Sequence, residues 1–324
     1  MKLLVTGGAG FIGSHFIRQW FLKNPLDEII NLDALTYAGR RETVADLEVN
    51  PNYHFVKGDI CDEKIVTEVM AEVDLVVHFA AESHVDRSIE SSREFIRTNI
   101  EGTRVLLEAA RQRKNSPRFH HVSTDEVFGS LKLTDKKFNE SSNYDPRSPY
   151  SASKASADHL VRAYFHTHGL PITISNCSNN YGPYQFPEKL IPLFITNVLL
   201  NKRVPLYGQG ENIRDWIYVG DHVEGIMKVI SGGKIGETYC LGGGNELSNF
   251  TIAQKILKLL DKDEAMIDYI TDRPGHDFRY AIDYIKAMEE LSWSPQTNLD
   301  EGLKQTVEWY KNNPVWWQPL IKSL

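Results

Sequence analysis

The stretch Lys2-Leu3-Leu4-Val5-Thr6-Gly7-Gly8-Ala9-Gly10-Phe11-Ile12-Gly13 decides the fold. A short apolar run meets a glycine cluster, and an amphipathic pattern at helical spacing follows from Ser14 to Leu22. The glycines satisfy G-x-G-x-x-G through Gly8, Gly10 and Gly13, and G-x-x-G-x-x-G through Gly7, Gly10 and Gly13. Glycine-rich turns are common, so context carries the weight. A strand pattern precedes this one, a helix pattern follows, and Asp33 stands twenty residues past Gly13 at the end of a second apolar run. Glycines permit a tight turn and close backbone approach, while the helix N-terminus offers free N–H groups and a positive dipole end to a pyrophosphate. Asp33 suits both hydroxyls of an adenosine ribose, and its charge opposes a 2′-phosphate. The predicted cofactor is therefore NAD rather than NADP. Asp59-Ile60, after the third apolar run, is expected beside adenine, and the small pair Ala80-Ala81 after the fourth lets the cofactor cross the sheet edge.

Working outward, Lys2–Thr6, Glu28–Leu32, His54–Val56, Leu75–Phe79, Arg118–Ser123 and Ile172–Asn176 read as strands. Leu75-Val76-Val77-His78-Phe79 hardly alternates, as expected of a strand covered on both faces. Helical patterns lie between them at Ser14–Leu22, Arg40–Glu48, Asp62–Ala71, Glu94–Arg111 and Tyr150–Phe165. This alternation predicts an α/β fold, a doubly wound parallel sheet of Rossmann type. Beyond about residue 175 the rhythm degrades. Asn176–Pro192 reads as a long structured loop or lid, followed by mixed elements at 187–201, 204–207, 221–230, 237–241, 252–260 and 299–310. The expected division is an NAD-binding domain over 1–175 and a smaller α+β substrate lobe over 176–324, with part of it, about 208–242, returning to the first domain. Trp309, Trp316 and Trp317 are expected to be docking anchors.

Composition narrows the function classes. The chain has 324 residues, 41% of them hydrophobic, with 36 Lys+Arg against 43 Asp+Glu for a net charge of −7. Without basic blocks, nucleic-acid binding is not expected. Cys61, Cys177 and Cys240 are widely spaced with no C-x-x-C, so neither a disulfide framework nor a metal site is expected. No apolar run reaches the roughly 18–20 residues that span a bilayer, and the N-terminus breaks into glycine too early for a secretory signal. A cytoplasmic protein with no membrane partner is the expectation.

The reaction centre is read from Tyr150-Ser151-Ala152-Ser153-Lys154, which stacks a phenol and an ammonium on one helix face at i and i+4. A free tyrosine, with a pKa near 10, is a poor base at neutral pH. A nearby ammonium and a nicotinamide cation favour its phenolate, making it a proton acceptor during hydride transfer. Chance Y-x-x-x-K pairs occur on many helices. Here the pair follows a glycine fingerprint and five strands, with Ser123-Thr124 ending the strand before it.

With these motifs the chain resembles the extended short-chain dehydrogenase/reductase superfamily, and within it the dTDP-glucose 4,6-dehydratases. Ser123-Thr124-Asp125-Glu126-Val127-Phe128-Gly129 is the most telling segment, because related epimerases carry small or hydroxyl residues where this chain has Asp125 and Glu126. Adjacent carboxyls supply the acid and base that elimination of water needs and epimerisation does not. Matching segments include 80–88, 177–184, 186–192, 214–216 and 272–277; the likeness runs from residue 2 to about 310. The chain departs from the family pattern at Phe128, commonly tyrosine, which bears on loop packing.

The resemblance implies roles residue by residue. Tyr150 would take the proton of the glucose C4 hydroxyl while hydride passes to NAD, with Thr124 and Lys154 positioning the reacting hydroxyl and cofactor. Glu126 would remove the C5 proton, and Asp125, protonated, would donate to the departing C6 hydroxyl. Further cofactor contacts are implied at Phe11, Ile12, Ala34, Leu35, Thr36 and Phe79, and also at Ser83, Thr98 and Asn180. The nucleotide-sugar cleft would be lined by Ser83, Asn179, Lys189, Leu190, Pro205, Leu206 and Tyr207, with Asn249 and His276. Arg214 and Arg273 would clamp the diphosphate, since guanidinium pairs bidentately with phosphate oxygens; taken singly each could be a surface ion pair, and their motif contexts favour the clamp. The expected substrate is dTDP-glucose and the expected assembly a homodimer. Its interface would be built on the helices near 94–111 and 150–168, through Val105, Leu106, Ala109, Leu160, Val161 and Phe165, unless these only cover the sheet. The alternatives are another sugar-nucleotide dehydratase, a UDP-sugar 4-epimerase, or an NAD-binding regulatory protein.

Overall fold

The computed structural model describes residues 1–272 and 275–321. Six strands, β1 (Lys2–Thr6), β2 (Glu28–Asp33), β3 (Tyr53–Lys57), β4 (Leu75–His78), β5 (Arg118–Thr124) and β6 (Ile172–Cys177), pair in parallel. Beyond them come β7 (Asn179–Tyr181), β8 (Val204–Tyr207), β9 (Ile213–Tyr218), β10 (Thr238–Leu241), β11 (Glu246–Ser248) and β12 (Ile267–Ile270). β10 joins the main sheet beside β6, giving the order β10-β6-β5-β4-β1-β2-β3. The strand order reverses between β1 and β4, which is where a doubly wound sheet opens a crevice at its carboxyl edge.

The helices are α1 (Phe11–Lys23), α2 (Glu63–Val69), α3 (Val85–Glu90), α4 (Arg93–Phe95), α5 (Thr103–Arg111) and α6 (Pro149–His168), then α7 (Leu190–Leu199), α8 (Val219–Gly232), α9 (Asn249–Leu259), α10 (Ile285–Leu291), α11 (Leu299–Asn312) and α12 (Pro314–Ile321). α1 and α8 cover one face of the sheet through Phe16, Ile17, Val223 and Ile226. α2, α5 and α6 cover the other through Val66, Leu106 and Val161. With both faces buried the strands need no period-2 alternation, and Leu3, Leu4 and Val5 are all fully enclosed. A separate core of Phe194, Ile195, Ile252, Ile256, Leu303 and Val307 holds the second lobe together.

In the first half, two helical segments take a different form from the sequence reading. Arg40–Glu48 is not one α-helix but two 3-10 turns, Arg41–Thr43 and Ala45–Leu47. The N–H groups of Thr43, Val44 and Leu47 bond three residues back, and Arg18 grips both the Thr43 carbonyl and Asp46. This tighter winding lets Val44 and Leu47 enter the α1 core. The second is the run after α4, where Ile96–Gly102 is a π-helix leading into α5. Its widened turn suits Asn99, which receives the Glu82 N–H at 2.9 Å and donates to the Glu82 carbonyl and to Ser153 of α6.

α6 is delimited by local chemistry. Ser148 and Ser151 form a reciprocal capping box, Pro149 occupies the first turn, and Gly169 ends the helix with φ +68°. Among the described residues no helix is long and apolar enough to cross a membrane.

Candidate active site

A cleft of about 350 Å³ opens at the carboxyl edge of the sheet. Its floor is the turn between β1 and α1. Gly7 adopts φ +72°, and a Cβ on Gly13 would lie 2.5 Å from the Gly7 carbonyl oxygen, so the turn closes only with glycine at these two positions. No side chain caps α1, and Gly10, Phe11, Ile12 and Gly13 all line the cleft, leaving the helix N-terminus facing it. At the end of β2, the buried Asp33 carboxylate accepts from the Ala9 N–H at 2.9 Å and the Leu35 N–H at 2.8 Å. Burial pushes its pKa up while these two donors pull it down. The donor set, the side-chain-free cradle and the buried carboxylate suit a dinucleotide.

Ala34, Thr36, Asp59, Ile60 and Phe79 continue that wall, with Ala80, Ala81, Ser83 and Thr98. Leu35 is placed otherwise: at φ +52° it gives its N–H to Asp33 and is not part of the lining. Asp59 accepts from the Cys61 N–H and from Arg97. Asn180 is fixed by His222, 2.8 Å away on α8.

The groups predicted to react converge from β5 and α6. Thr124 closes β5 and caps the following 3-10 turn, Asp125–Phe128, by accepting the Glu126 N–H at 3.3 Å. That turn aims Asp125 and Glu126 into the same cleft that Tyr150 and Lys154 line from α6. Asp125 is 1% exposed, and its Oδ2 has no hydrogen-bond partner within the described residues. Burial, then the neighbouring charges of Glu126 and Asp215, push its pKa well up, against the pull of Arg214. A protonated carboxyl is the form this environment favours.

Tyr150 differs in one respect from the sequence expectation. Burial, and then the negative charge of Glu126, drive its pKa upward, while a hydrogen bond with Thr124 acts in the opposite sense. The Lys154 ammonium donates to the Val122 carbonyl at 2.8 Å, and burial lowers its own pKa. The polypeptide by itself therefore favours the phenol.

The predicted substrate residues divide. Ser83, Asn179 and Lys189 line the cleft, with Lys189 donating to the Ser83 carbonyl at 2.7 Å; the Asn179 Oδ1 is buried without a partner among the described residues. Leu190 and Leu206 are packed into or against the second-lobe core, and Pro205 is half-buried on β8. Tyr207 packs edge-on to His276, which bonds Asp272 at 2.6 Å. Asn249 opens α9, nearly buried. Arg214 stacks on the Tyr280 ring at 4.3 Å and donates to the Ile213 and Asp277 carbonyls. None of these last seven is part of the cleft wall. Arg273 lies outside the described residues.

Several lining residues have no counterpart in the sequence reading, among them Glu82, Arg97, Ser178 and Glu188. Glu82, Ser178 and Glu188 come from connections, where no periodicity marks them, and Arg97 lies on the π-helix Ile96–Gly102. Tyr184 belongs to the same wall and is backed by the rings of Trp309 and Trp316, 4.6 and 5.5 Å away between centroids.

Comparison with known proteins bears on the whole chain. The GDP-mannose 4,6 dehydratase family model matches residues 4–306. The dTDP-glucose 4,6-dehydratase of Mycobacterium tuberculosis is 51% identical over 99% of this chain and 96% of its own. The structure of DesIV, a dTDP-glucose 4,6-dehydratase from Streptomyces venezuelae with NAD and TYD bound, superposes with a TM-score of 0.96 at 49% identity, covering 99% of this chain and 100% of that one. The UDP-glucose 4-epimerase of Thermotoga maritima, with UDP-glucose, is more distant, at 30% identity and a TM-score of 0.89 over 97% and 100% of the chains. This chain belongs to the dTDP-glucose 4,6-dehydratase family.

Proposed function

We infer that the protein is an NAD-dependent hydro-lyase that converts dTDP-glucose to dTDP-4-keto-6-deoxyglucose and water. The observation that carries this reading is the pair Asp125 and Glu126 facing the cleft that holds Tyr150 and Lys154. A 4-epimerase needs the second pair but has no work for the first.

Gly7, Gly10 and Gly13 would hold the pyrophosphate of the cofactor, Asp33 its adenosine ribose and Lys154 the nicotinamide ribose. When bound, NAD supplies the acceptor for hydride from C4, the donor of hydride to C6, and a positive ring that favours ionised Tyr150. Tyr150 takes the proton of the C4 hydroxyl, with Thr124 holding the phenol oxygen and the substrate in line. Oxidation at C4 acidifies the C5 proton, which Glu126 would accept and give back to C5 as hydride reaches C6. Asp125, kept protonated by burial and by Glu126, gives its proton to the leaving C6 hydroxyl. Two adjacent carboxyls hold opposite protonation states because double ionisation at close range is unfavourable.

Residues 1–175 are assigned to cofactor binding and 176–324 to the nucleotide sugar, with α8 and β10 counted in the first half. The roles of Asn249, Tyr207, His276 and Arg214 toward the nucleotide require the second lobe to supply them from outside the cleft wall. We assign a homodimer on α5 and α6. Val105, Leu106 and Val161 are spent in the core, which leaves the partly buried Ala109, Leu160 and Phe165 for the interface. The three free thiols suit the reducing cytoplasm.

Purified protein incubated with dTDP-, UDP- and CDP-glucose tests the reading. Loss of one water from dTDP-glucose, giving a 4-keto-6-deoxy product by mass and NMR, is the expected result. A C4 epimer without water loss rejects it.

A further inference from the structure

Behind the reacting groups lies a carboxylate that this chemistry does not use. Asp158 is fully buried and stands one helical turn beyond Lys154 on α6, so that Tyr150, Lys154 and Asp158 form one stripe. Its Oδ2 accepts from the Ser123 hydroxyl at 2.9 Å and from the Tyr144 hydroxyl at 2.7 Å. His121 Nε2 lies 3.2 Å from Oδ1, and burial lowers that ring's pKa to about 4, leaving it neutral. Tyr144 in turn accepts from Arg162 at 2.9 Å, and Arg162 also reaches Thr238 on β10.

Strand alternation puts the His121 and Ser123 side chains on the β5 face that meets α6. The Val122 carbonyl between them receives Lys154. Two residues one turn apart on the helix thus grip three consecutive residues of the strand, and the next strand residue is Thr124. A buried carboxylate is a poor way to stabilise a helix–sheet contact, because apolar side chains of similar volume do so without the desolvation cost. It adds direction instead. Hydrogen bonds to fixed strand positions set how far α6 can slide or turn along β5, whereas apolar packing is less particular.

We propose that Asp158 is a positioning residue: through Ser123 and Tyr144 it sets the register between the helix face bearing Tyr150 and Lys154 and the strand end bearing Thr124, Asp125 and Glu126. The inference rests on the dehydratase reading of the same site.

Steady-state kinetics of the NAD-loaded enzyme on dTDP-glucose, for wild type, Asp158→Asn and Tyr144→Phe, test it, together with bound-NAD content, melting temperature and a C4-deuterated substrate. In Asp158→Asn, kcat falls on the order of 10²-fold, as a misplacement of about 1 Å would produce, with KM and NAD content near wild type and a larger isotope effect. Tyr144→Phe shows a smaller loss of the same kind. Wild-type kcat in both variants overturns the proposal, as does a loss that only follows NAD content and melting temperature. If Asp158→Asn does not fold, Tyr144→Phe decides: lowered kcat at constant KM supports the assignment, unchanged kcat removes it. An inert wild type is a separate outcome that removes the dehydratase reading, and this inference with it.

Discussion

Thr124 and Glu126 are joined by a bond from the Glu126 N–H to the Thr124 hydroxyl oxygen, 3.3 Å long, and the residue that caps the turn also lines the cleft. The cap bends the chain immediately after β5. Without that bend the strand direction would carry Asp125 and Glu126 past the cleft instead of into it. A strand end, a one-turn helix and the helix bearing Tyr150 are the means by which four reactive groups reach one volume.

The division of labour between the two carboxyls is testable by solvent exchange. In deuterated water Asp125→Asn retains exchange at C5 but loses product by roughly 10²–10⁴-fold, the usual worth of a general acid. Glu126→Gln loses both exchange and product. NMR of the recovered sugar distinguishes the two.

Tyr150→Phe removes the proposed proton acceptor and leaves the rest of the cleft intact. We expect kcat to fall by about 10²–10⁴-fold with NAD still bound. Activity close to wild type would mean that another group accepts the C4 hydroxyl proton.

Asp33→Asn removes a charge whose oxygens already hold the Ala9 and Leu35 N–H groups. Hydrogen bonds to a charged group are worth about 1.5–3 kcal/mol, so NAD retention should weaken by roughly tenfold to a hundredfold. Discrimination against NADP should fall at the same time, read by titrating apoprotein with each cofactor.

Asp125 should make stability depend on pH in a specific sense. Its pKa is raised on folding, so its contribution is fully present below the unfolded carboxyl value, near 4, and is lost as pH rises through the folded value. Asp125→Asn is therefore expected to melt higher than wild type at neutral and alkaline pH. The gain should shrink toward acid pH, where Asp125 is protonated in both states. Calorimetry across that range checks the sign, and a gain confined to acid pH contradicts it.

How much of this was legible beforehand depended on the kind of signal. The six strands of the first half announce themselves as apolar runs because both sheet faces are covered, and Leu75–His78 is buried throughout. β9, β11 and β12 gave no such run: Glu246–Ser248 is three half-buried residues, and β12 buries only Ile267. The pattern over Arg40–Glu48 read as one helix, because amphipathic spacing alone does not distinguish an α-helix from two tighter turns. At the cleft, motif spacing found Tyr150, Lys154 and the glycines, whose geometry is local. It did not find Asp158, although Y-x-x-x-K-x-x-x-D was there to read, because Ser123 becomes its neighbour only when α6 packs on β5, and Tyr144 only when the segment before α6 folds back along the helix. Nor could spacing tell that the Lys154 ammonium would be taken by a main-chain carbonyl.

The placement of β10 has an outcome for anyone cutting the gene. The chain leaves the main sheet after β6, builds β7 to β9, and comes back to lay Thr238–Leu241 along the β6 edge. A fragment stopped near residue 175 would end with the β6 backbone bare, an open template for pairing with other copies. Such a half would precipitate, and a working NAD-binding piece must be expressed through Leu241.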